Sequence, residues 1–413
     1  MVKLCSAPWN SRCPPTRIYV YDMIRYGPCT RTLMDLGTIS ALKGLHIPSK
    51  FIPTSTMTTT EAYDPCFEPP FELIISTLLQ NHSPEIDNNH KLSPTNQTLM
   101  YEKQDYNCKF TVLPLVDISH LGLEEGHPMR EECEREIAWA AKDWGFFQIV
   151  NHGIPRQVLE QMKGEQEKVF RQPFCVKRAG GGKLLNLGEE CYRWGNPTAT
   201  CLRQMSWSEA FHIPINDISR IEDESLRSAI EIFAAVATNL AEKIVEVLAA
   251  NLRAEGTDYF RVNCTRDSCY LRMNRYPPCP NFSSEVFGLM PHTDSDFLAI
   301  VCQDSVGGLQ LMKDDGTWAS VSPNPNALVI NVGDLLQAWS NGVYKSVKHR
   351  VMASAKEERH SMAFFYCPKS NTVIKSCINP SIYRNFSFLE YRLQVQKDVK
   401  ATGDKVGLSR FLL

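Results

Sequence analysis

The sequence lacks both a long apolar run and a strong excess of one charge. None of its hydrophobic stretches approaches the roughly 18 residues that a membrane-spanning helix needs. Its 44 lysines and arginines and 46 aspartates and glutamates give a formal net charge of −2. This balance provides no electrostatic footprint for nucleic acid or for a membrane surface. We therefore expect a soluble protein without a nucleic-acid or membrane partner.

Paired cysteine motifs are also absent. The 15 cysteines are odd in number and scattered singly, without a Cys-x-x-Cys pair. This pattern fits reduced thiols better than a disulfide framework or a thiolate metal site. We therefore expect a cytoplasmic protein, with the nucleus as a further compartment.

Residues 1–56 show no sustained hydrophobic period and no apolar core of the kind that a secretory signal has. Several arginines set against few acidic residues leave an organelle transit peptide open (Arg12, Arg17, Arg25 and Arg31). Our preferred interpretation is a disordered extension, with Met57 as the authentic start. Residues 81–108 are rich in Asn, Ser and His and are predicted to form a mobile loop.

The hydrophobic period of the remaining chain changes along its length. A strand is predicted at Thr111–Asp117, followed by a helix at Met129–Trp144 and a short buried strand at Trp144–Val150. Helical spacing returns at Val158–Phe170. A long apolar stripe at Ile221–Asn251 predicts a helix that packs along a sheet.

From Ser268 onward the period is two, as in strands. Asp315-Gly316, between two strand-like segments, is a strong hairpin signal. Gly307-Gly308 and Asn341-Gly342 mark further turns. Near the C-terminal end, Ser387–Lys400 is predicted to be a helix.

His292 and Asp294 form a His-x-Asp pair within this region. Residues two apart on a strand point to the same face, so an imidazole and a carboxylate can meet at one point. His349, on a second apolar run, can supply a third ligand. Two imidazoles and one carboxylate leave half of the octahedron of a ferrous ion free, as in non-haem iron oxygenases. Zinc is the competing metal, but it usually takes thiolates or three nitrogens with one water.

Two more pairs share this spacing, although a His-x-Asp pair alone is more often a surface or hydrogen-bonded core feature. Arg359 and Ser361 place a guanidinium and a hydroxyl on one face, and the planar fork of arginine suits a carboxylate. Asn274 and Tyr276 place an amide and a phenol on one face. A salt bridge would explain Arg359 alone, and core packing would explain Tyr276 alone. Together and in this order, the residues favour an iron site with a keto-acid cosubstrate.

Short antiparallel strands around a metal predict a mixed α+β fold. Its core is a double-stranded β-helix (jelly roll) flanked by helices, with a helical N-terminal region. We expect residues 57–255 to form the N-terminal region, residues 260–370 the metal-binding jelly-roll domain and residues 371–413 a C-terminal helical cover.

Several motifs of the chain are those of a known family. They are Leu113-Pro114-Leu115-Val116-Asp117, Trp144 to Gly153, Asn274 to Pro280, the His292/Asp294/His349 triad, Asn331-Val332-Gly333-Asp334 and Arg359-x-Ser361. From about Glu68 to the C-terminus, the sequence resembles the plant 2-oxoglutarate- and iron(II)-dependent dioxygenases. The resemblance implies that His152, a tempting metal ligand, belongs to a structural turn.

The resemblance also implies a cosubstrate site and a reaction. Arg359, Ser361 and Tyr276 would hold the distal carboxylate of 2-oxoglutarate, the keto-acid end of which chelates Fe(II), and Asn274 would lie near that chelate. The implied reaction hydroxylates an aliphatic C–H bond with O2 and converts 2-oxoglutarate to succinate and CO2, with ascorbate as reductant. No general base is required.

Two segments, Cys191–Gly195 and Ser206–Pro214, resemble the gibberellin 2-oxidases, specifically the subgroup associated with twenty-carbon gibberellins. The implied function is 2-beta-hydroxylation that inactivates gibberellins, with an acidic diterpenoid as substrate. Such a ligand needs a mostly apolar pocket with one or two polar anchors, for which Tyr192 and Arg193 are candidates. Aromatic packing explains these segments equally well, and His212 is interpreted as a packed residue rather than a ligand.

Two kinds of alternative stay open. Related plant dioxygenases act on flavonoids or other small metabolites, and an ethylene-forming oxidase shares the iron triad. Arg359-x-Ser361 alone does not separate these enzymes. A non-catalytic binding protein on the same fold is the alternative of another class, which the intact triad and cosubstrate residues argue against.

Overall fold

The computed structural model describes residues 68–81, 110–196, 199–254, 258–283 and 286–413. The proposed extension at residues 1–56 lies outside the described residues, as does the predicted mobile loop from residue 82 onward. All described residues belong to one unit of internal contacts, residues 63–413. In these ranges, no helix is long and apolar enough to cross a membrane.

The helices surround the sheets and are labelled in chain order. They are α1 (Phe71–Asn81), α2 (Pro128–Asp143), α3 (Arg156–Phe170), α4 (Phe174–Arg178), α5 (Gly182–Leu185), α6 (Glu224–Asn251), α7 (Tyr259–Asn263), α8 (Asp334–Trp339) and α9 (Phe388–Thr402). The strongly periodic helices at 129–144, 158–170, 221–251 and 387–400 were therefore predicted correctly, with ends that differ by a few residues.

Capping residues account for those differences at two helix starts. The Asp223 carboxylate accepts a hydrogen bond from the Leu226 backbone N–H at 2.9 Å, so α6 begins at Glu224 rather than at Ile221. Pro128 occupies the first turn of α2, where its missing N–H costs nothing. The apolar stripe of α6 is buried and packs against α2, α3 and the sheet, as predicted.

The strands are also labelled in chain order. They are β1 (Phe110–Thr111), β2 (Leu115–Asp117), β3 (Phe146–Val150), β4 (Tyr192–Trp194), β5 (Glu209–Pro214), β6 (Tyr270–Tyr276), β7 (Phe287–His292), β8 (Leu298–Gln303), β9 (Leu309–Met312), β10 (Trp318–Val321), β11 (Leu328–Val332), β12 (His349–Met352), β13 (Arg359–Tyr366), β14 (Val373–Ile374) and β15 (Phe386–Ser387).

From β6 to β13 the strands alternate between two facing sheets, except that β9 and β10 are neighbours in one sheet, and this is the jelly-roll topology. One sheet has the order β2-β3-β11-β8-β13-β6-β5-β4 and the other has the order β1-β10-β9-β12-β7. The hairpin at Asp315-Gly316 is confirmed, because β9 and β10 pair antiparallel on either side of it. The predicted mixed α+β fold with a jelly-roll core is therefore confirmed.

The predicted strand at Thr111–Asp117 is not continuous. β1 pairs with β10 in one sheet, whereas β2 pairs with β3 in the other. Pro114 lies between them and has no N–H to donate to a ladder, so the chain crosses between the sheets at this point. The prediction of one continuous strand at Thr111–Asp117 was therefore wrong.

The predicted strand at Trp144–Val150 begins two residues late for a steric reason. A Cβ at Gly145 would lie 2.3 Å from the Lys345 carbonyl oxygen, and its φ is +64°, so only glycine fits there. β3 starts just beyond this contact. At its other end, the His152 ring nitrogen Nδ1 accepts a hydrogen bond from the Ile154 backbone N–H at 3.2 Å, so His152 lies in a structural turn as expected.

Candidate metal and cosubstrate site

His292 and His349 face each other across two paired strands. They are direct partners in the register of β7 and β12, and their ring centroids lie 4.3 Å apart. The Asp294 Oδ1 atom lies 3.6 Å from His292 Nε2 and 3.7 Å from His349 Nε2. The ligand atoms of all three residues lie within 4.8 Å of one another. The structure thus brings the three predicted residues together, although Asp294 lies just past the end of β7 and not within a strand.

Backbone carbonyls fix the orientation of both imidazoles. His292 Nδ1 lies 2.8 Å from the Met290 carbonyl oxygen, and His349 Nδ1 lies 3.1 Å from the Val347 carbonyl oxygen. A carbonyl only accepts, so each Nδ1 carries a proton, and each Nε2 lies where its lone pair could bind a metal ion shared with Asp294. Burial lowers the pKa of His349 to about 4, against the opposing charge of Asp294, which keeps this imidazole neutral near pH 7.

The Asp294 carboxylate stays ionised although it is buried. Burial by itself would raise its pKa, but the neighbouring His349 and His292 rings and a hydrogen bond from Asn331 outweigh that effect. The pKa of Asp294 is therefore held below its ordinary value. The Asn331 Nδ2 atom donates to Asp294 Oδ2 at 3.2 Å. Two neutral nitrogen donors and one carboxylate, with no thiolate among them, fit Fe(II) with open coordination positions.

Lys405 anchors the loop that carries Asp294. Its ammonium donates to the Thr293 carbonyl oxygen at 2.8 Å and to Ser295 Oγ at 2.7 Å, the two residues that flank Asp294. It also pairs with Asp334 Oδ2 at 2.7 Å. The Asp334 backbone N–H in turn donates to the Asp294 carbonyl oxygen at 3.0 Å. No local sequence pattern indicates the role of Lys405, because its partners lie far away along the chain.

The four predicted cosubstrate residues meet on neighbouring strands. In the register of β6 and β13, Arg359 is opposite Tyr276 and Ser361 is opposite Asn274. The Arg359 guanidinium lies 4.8 Å from the centre of the Tyr276 ring and donates to Ser361 Oγ at 3.2 Å. Asn274 Nδ2 donates to the same hydroxyl at 3.4 Å. Gln303, which the sequence did not indicate, accepts from Arg359 Nη2 at 2.9 Å.

The guanidinium of Arg359 is buried without an ion pair among the described residues. Its side chain is only 3% exposed, and no carboxylate of the described ranges pairs with it. Its Nε and the Gln303 Nε2 atom are buried with no hydrogen-bond partner. A buried cation and unsatisfied donors are costly unless an anion meets them. The arrangement therefore fits a cosubstrate carboxylate.

Tyr192 does not belong to this site. Its hydroxyl donates to Glu209, which also pairs with Lys177 at 2.7 Å and Arg275 at 2.7 Å. Tyr192 is opposite Phe211, and residues 209 and 211 point to the face away from Asn274. The proposal of Tyr192 as a substrate anchor is therefore wrong.

Arg193 and His212 lie on the other face. Arg193 is opposite Ala210, which is opposite Asn274, so the Arg193 side chain shares the face of the cosubstrate residues. His212 stacks on Tyr270, with 4.0 Å between ring centroids. His212 is therefore a packed side chain on the face of the sheet, as expected, and is not part of the His-Asp-His cluster.

Comparison with known proteins agrees with this geometry. Residues 267–368 match the 2OG-Fe(II) oxygenase superfamily. Residues 113–230 match a family described as "non-haem dioxygenase in morphine synthesis N-terminal". The chain is 50% identical to Gibberellin 2-beta-dioxygenase 8 of Arabidopsis thaliana over 84% of its own length and 98% of the relative. It is 48% identical to Gibberellin 2-beta-dioxygenase 6 of Oryza sativa subsp. japonica over 72% of its length and 84% of that relative. The chain belongs to the 2OG-Fe(II) oxygenase superfamily.

A solved structure of this superfamily shows the same fold with its cofactors bound. The crystal structure of JOX2 in complex with 2OG, Fe and JA is 29% identical to this chain, with a TM-score of 0.59 over 78% of this chain and 93% of JOX2. The chain is therefore an Fe(II)- and 2-oxoglutarate-dependent dioxygenase that uses O2, with ascorbate as the reductant usual in the family. The predicted family, enzyme class and cofactors are confirmed.

Proposed function

We propose that this chain is a gibberellin 2-beta-dioxygenase, which hydroxylates and thereby inactivates gibberellins, and that it prefers twenty-carbon precursors. The observation that carries the proposal is the near 50% identity to Gibberellin 2-beta-dioxygenase 8 over almost the whole of that relative. The preference for twenty-carbon substrates rests on the segments Cys191–Gly195 and Ser206–Pro214. We place the enzyme in the cytoplasm, with residues 57–255, 260–370 and 371–413 as its structural regions.

The metal role falls to His292, Asp294 and His349. Their donor atoms converge on one point, and the protonation of both imidazoles at Nδ1 leaves the Nε2 lone pairs for the ion. Bound there, iron supplies the oxidation of an aliphatic C–H bond by O2, coupled to conversion of 2-oxoglutarate to succinate and CO2. His292, Asp294 and His349 would hold the ion through three donor atoms, which would leave coordination positions for other ligands.

The cosubstrate role falls to Arg359, Ser361, Tyr276 and Asn274. Arg359 supplies the positive charge for the distal carboxylate of 2-oxoglutarate, and Ser361 and the Tyr276 hydroxyl supply hydrogen bonds. Asn274 lies beside Ser361 and provides an amide near the keto-acid end. Strands hold all four side chains, so their geometry is set before the cosubstrate arrives.

Product analysis by mass spectrometry tests the substrate preference. The enzyme with Fe(II), 2-oxoglutarate and ascorbate is given a twenty-carbon gibberellin precursor and, separately, a nineteen-carbon bioactive gibberellin. The proposal predicts a 2-hydroxylated product from the first. Product from the second alone would contradict the preference and keep the hydroxylase. Turnover of a flavonoid and of neither gibberellin would establish the alternative function.

A further inference from the structure

The face that carries the cosubstrate residues continues beyond the jelly roll. Strands β5 and β4 extend the sheet past β6, and directly opposite residues of paired antiparallel strands point to the same side. One row across this face is formed by the following residues, each opposite the next: Arg193, Ala210, Asn274, Ser361 and Gln303. The same face of the sheet therefore continues beyond the residues assigned to the iron and to 2-oxoglutarate.

Arg272 lies on this surface, one row from Asn274. It is opposite His212 on one side and Ala363 on the other. Its Nε donates to Asn274 Oδ1 at 2.7 Å, which fixes the guanidinium next to the cosubstrate residues. The side chain is half-buried and forms no ion pair within the described ranges. Its terminal nitrogens thus offer the two-pronged donor geometry that a carboxylate accepts.

Three stacked aromatic rings lie beside Arg272 on this face. Tyr270 is opposite Phe365, and their rings stack with centroids 4.4 Å apart and an interplanar angle of 12°. His212 stacks on the other side of Tyr270 at 4.0 Å.

The surface is cationic as well as aromatic. The pKa of His212 is held well below its ordinary value, first by burial and then by the positive charges of Arg272, Arg193 and Arg392. Arg272 and Arg193 thus place two guanidinium groups on the face that carries the aromatic stack. A neutral apolar ligand would gain nothing from them, whereas an apolar ligand with carboxylates would pair with them.

We infer that Arg272, assisted by Arg193, anchors a carboxylate of the organic substrate while the His212–Tyr270–Phe365 stack supports its apolar rings. The surface would thus recognise a polycyclic carboxylic acid and present it to the iron. This inference rests on the proposed function, because it places the acidic diterpenoid on a particular part of the chain.

The test compares a carboxylic acid with its ester. The holoenzyme, loaded with 2-oxoglutarate and Fe(II) without oxygen, is titrated calorimetrically with a twenty-carbon gibberellin precursor that has two free carboxylates and with its dimethyl ester. The variants are Arg272→Gln and Arg272→Lys. Arg156→Gln serves as the matched control, since the Arg156 side chain is 89% exposed.

The ratio of the two affinities decides the outcome. Wild type and Arg156→Gln are expected to bind the acid at least about tenfold more tightly than the ester, the order of one charged hydrogen bond. Arg272→Gln should bind both alike, and Arg272→Lys should recover part of the preference. A purely structural effect of the substitution would weaken the binding of acid and ester alike and leave the ratio of their affinities unchanged. That result would overturn the inference.

The substrate inference and the proposed function fail in different ways. A 2-hydroxylated product from wild type together with an unchanged ratio in Arg272→Gln would refute the carboxylate anchor and keep the function. An acid preference that depends on Arg272, without any 2-hydroxylated product, would refute the function and keep the anchor. Absence of binding by wild type would count against both.

Discussion

Lys405 and Asp334 form a buried ion pair, with 2.7 Å between Nζ and Oδ2, beside the loop that carries Asp294. Both side chains are nearly inaccessible, at 10% and 5% exposed. The pair ties the C-terminal segment to the residues on both sides of Asp294. The position of a metal ligand is thus set by a residue from the far end of the chain.

Replacement of Lys405 by methionine should weaken metal binding. The loop loses two hydrogen bonds and Asp334 loses its ion pair, and loss of a residue that orients a ligand typically costs about tenfold to a hundredfold in metal affinity. Anaerobic Fe(II) titration measures the change. Lys405→Arg should restore part of the affinity, and Lys397→Met, at an exposed position of α9, serves as the control. Wild-type affinity in Lys405→Met would show that the loop holds Asp294 unaided.

Replacement of His349 or His292 by alanine should abolish turnover and metal binding while the protein stays folded. Each imidazole supplies one of three donor atoms, and the core around them is apolar. Fe(II) at about a hundred times its Kd should stabilise wild type against unfolding by about 2.7 kcal/mol, and neither variant should show this gain. Thermal unfolding with and without the metal measures it. Turnover like that of wild type in either variant would remove that histidine from the site.

Replacement of Arg359 by methionine should raise the KM for 2-oxoglutarate. The variant loses the charge that meets the distal carboxylate, and truncation of one partner of a buried charge pair costs enough to weaken binding by roughly a hundredfold. Initial rates over a range of 2-oxoglutarate concentrations measure the effect. Gln303→Leu should give a smaller rise, because it removes a neighbour of Arg359 and leaves the charge in place. An unchanged dependence on 2-oxoglutarate in Arg359→Met would remove Arg359 from this role.

Replacement of Glu209 by glutamine should destabilise the fold. Glu209 and Lys177 are both 0% exposed, and Arg275 and Tyr192 also bond to this carboxylate. Removing one partner of a buried pair costs about 3–5 kcal/mol, because it leaves an uncompensated charge. Urea unfolding measures the loss, with Glu231→Gln on the exposed face of α6 as the control. A loss no larger than that of the control would show that the network contributes little.

The spacing of the candidate residues predicted which of their side chains share a face of a strand. Asn274 with Tyr276, and Arg359 with Ser361, are two apart, and the structure places each pair on one side of a strand. The argument from strand spacing does not apply to His292 and Asp294, because the strand ends at His292 and Asp294 lies in the following loop. Their meeting depends on the loop geometry that Lys405 and Asp334 impose.

Residues that act through distant partners could not be predicted. Gln303 meets Arg359 through the register of β8 with β13, and no local period encodes that register. Tyr192 was misassigned for the same reason, because the side of the sheet to which it points depends on how β4 pairs with β5. The break at Pro114 was different, because a proline within a predicted strand is itself a warning.

The measurement that tests the central claim most directly follows two products in one reaction. Wild-type enzyme with Fe(II), 2-oxoglutarate, ascorbate and a twenty-carbon gibberellin precursor is sampled over time for succinate and for 2-hydroxylated gibberellin. An iron site at His292, Asp294 and His349 that acts on gibberellins predicts equimolar formation of both, and neither product in His349→Ala. Succinate formed at the same rate with and without the gibberellin, and no hydroxylated product, would contradict the account.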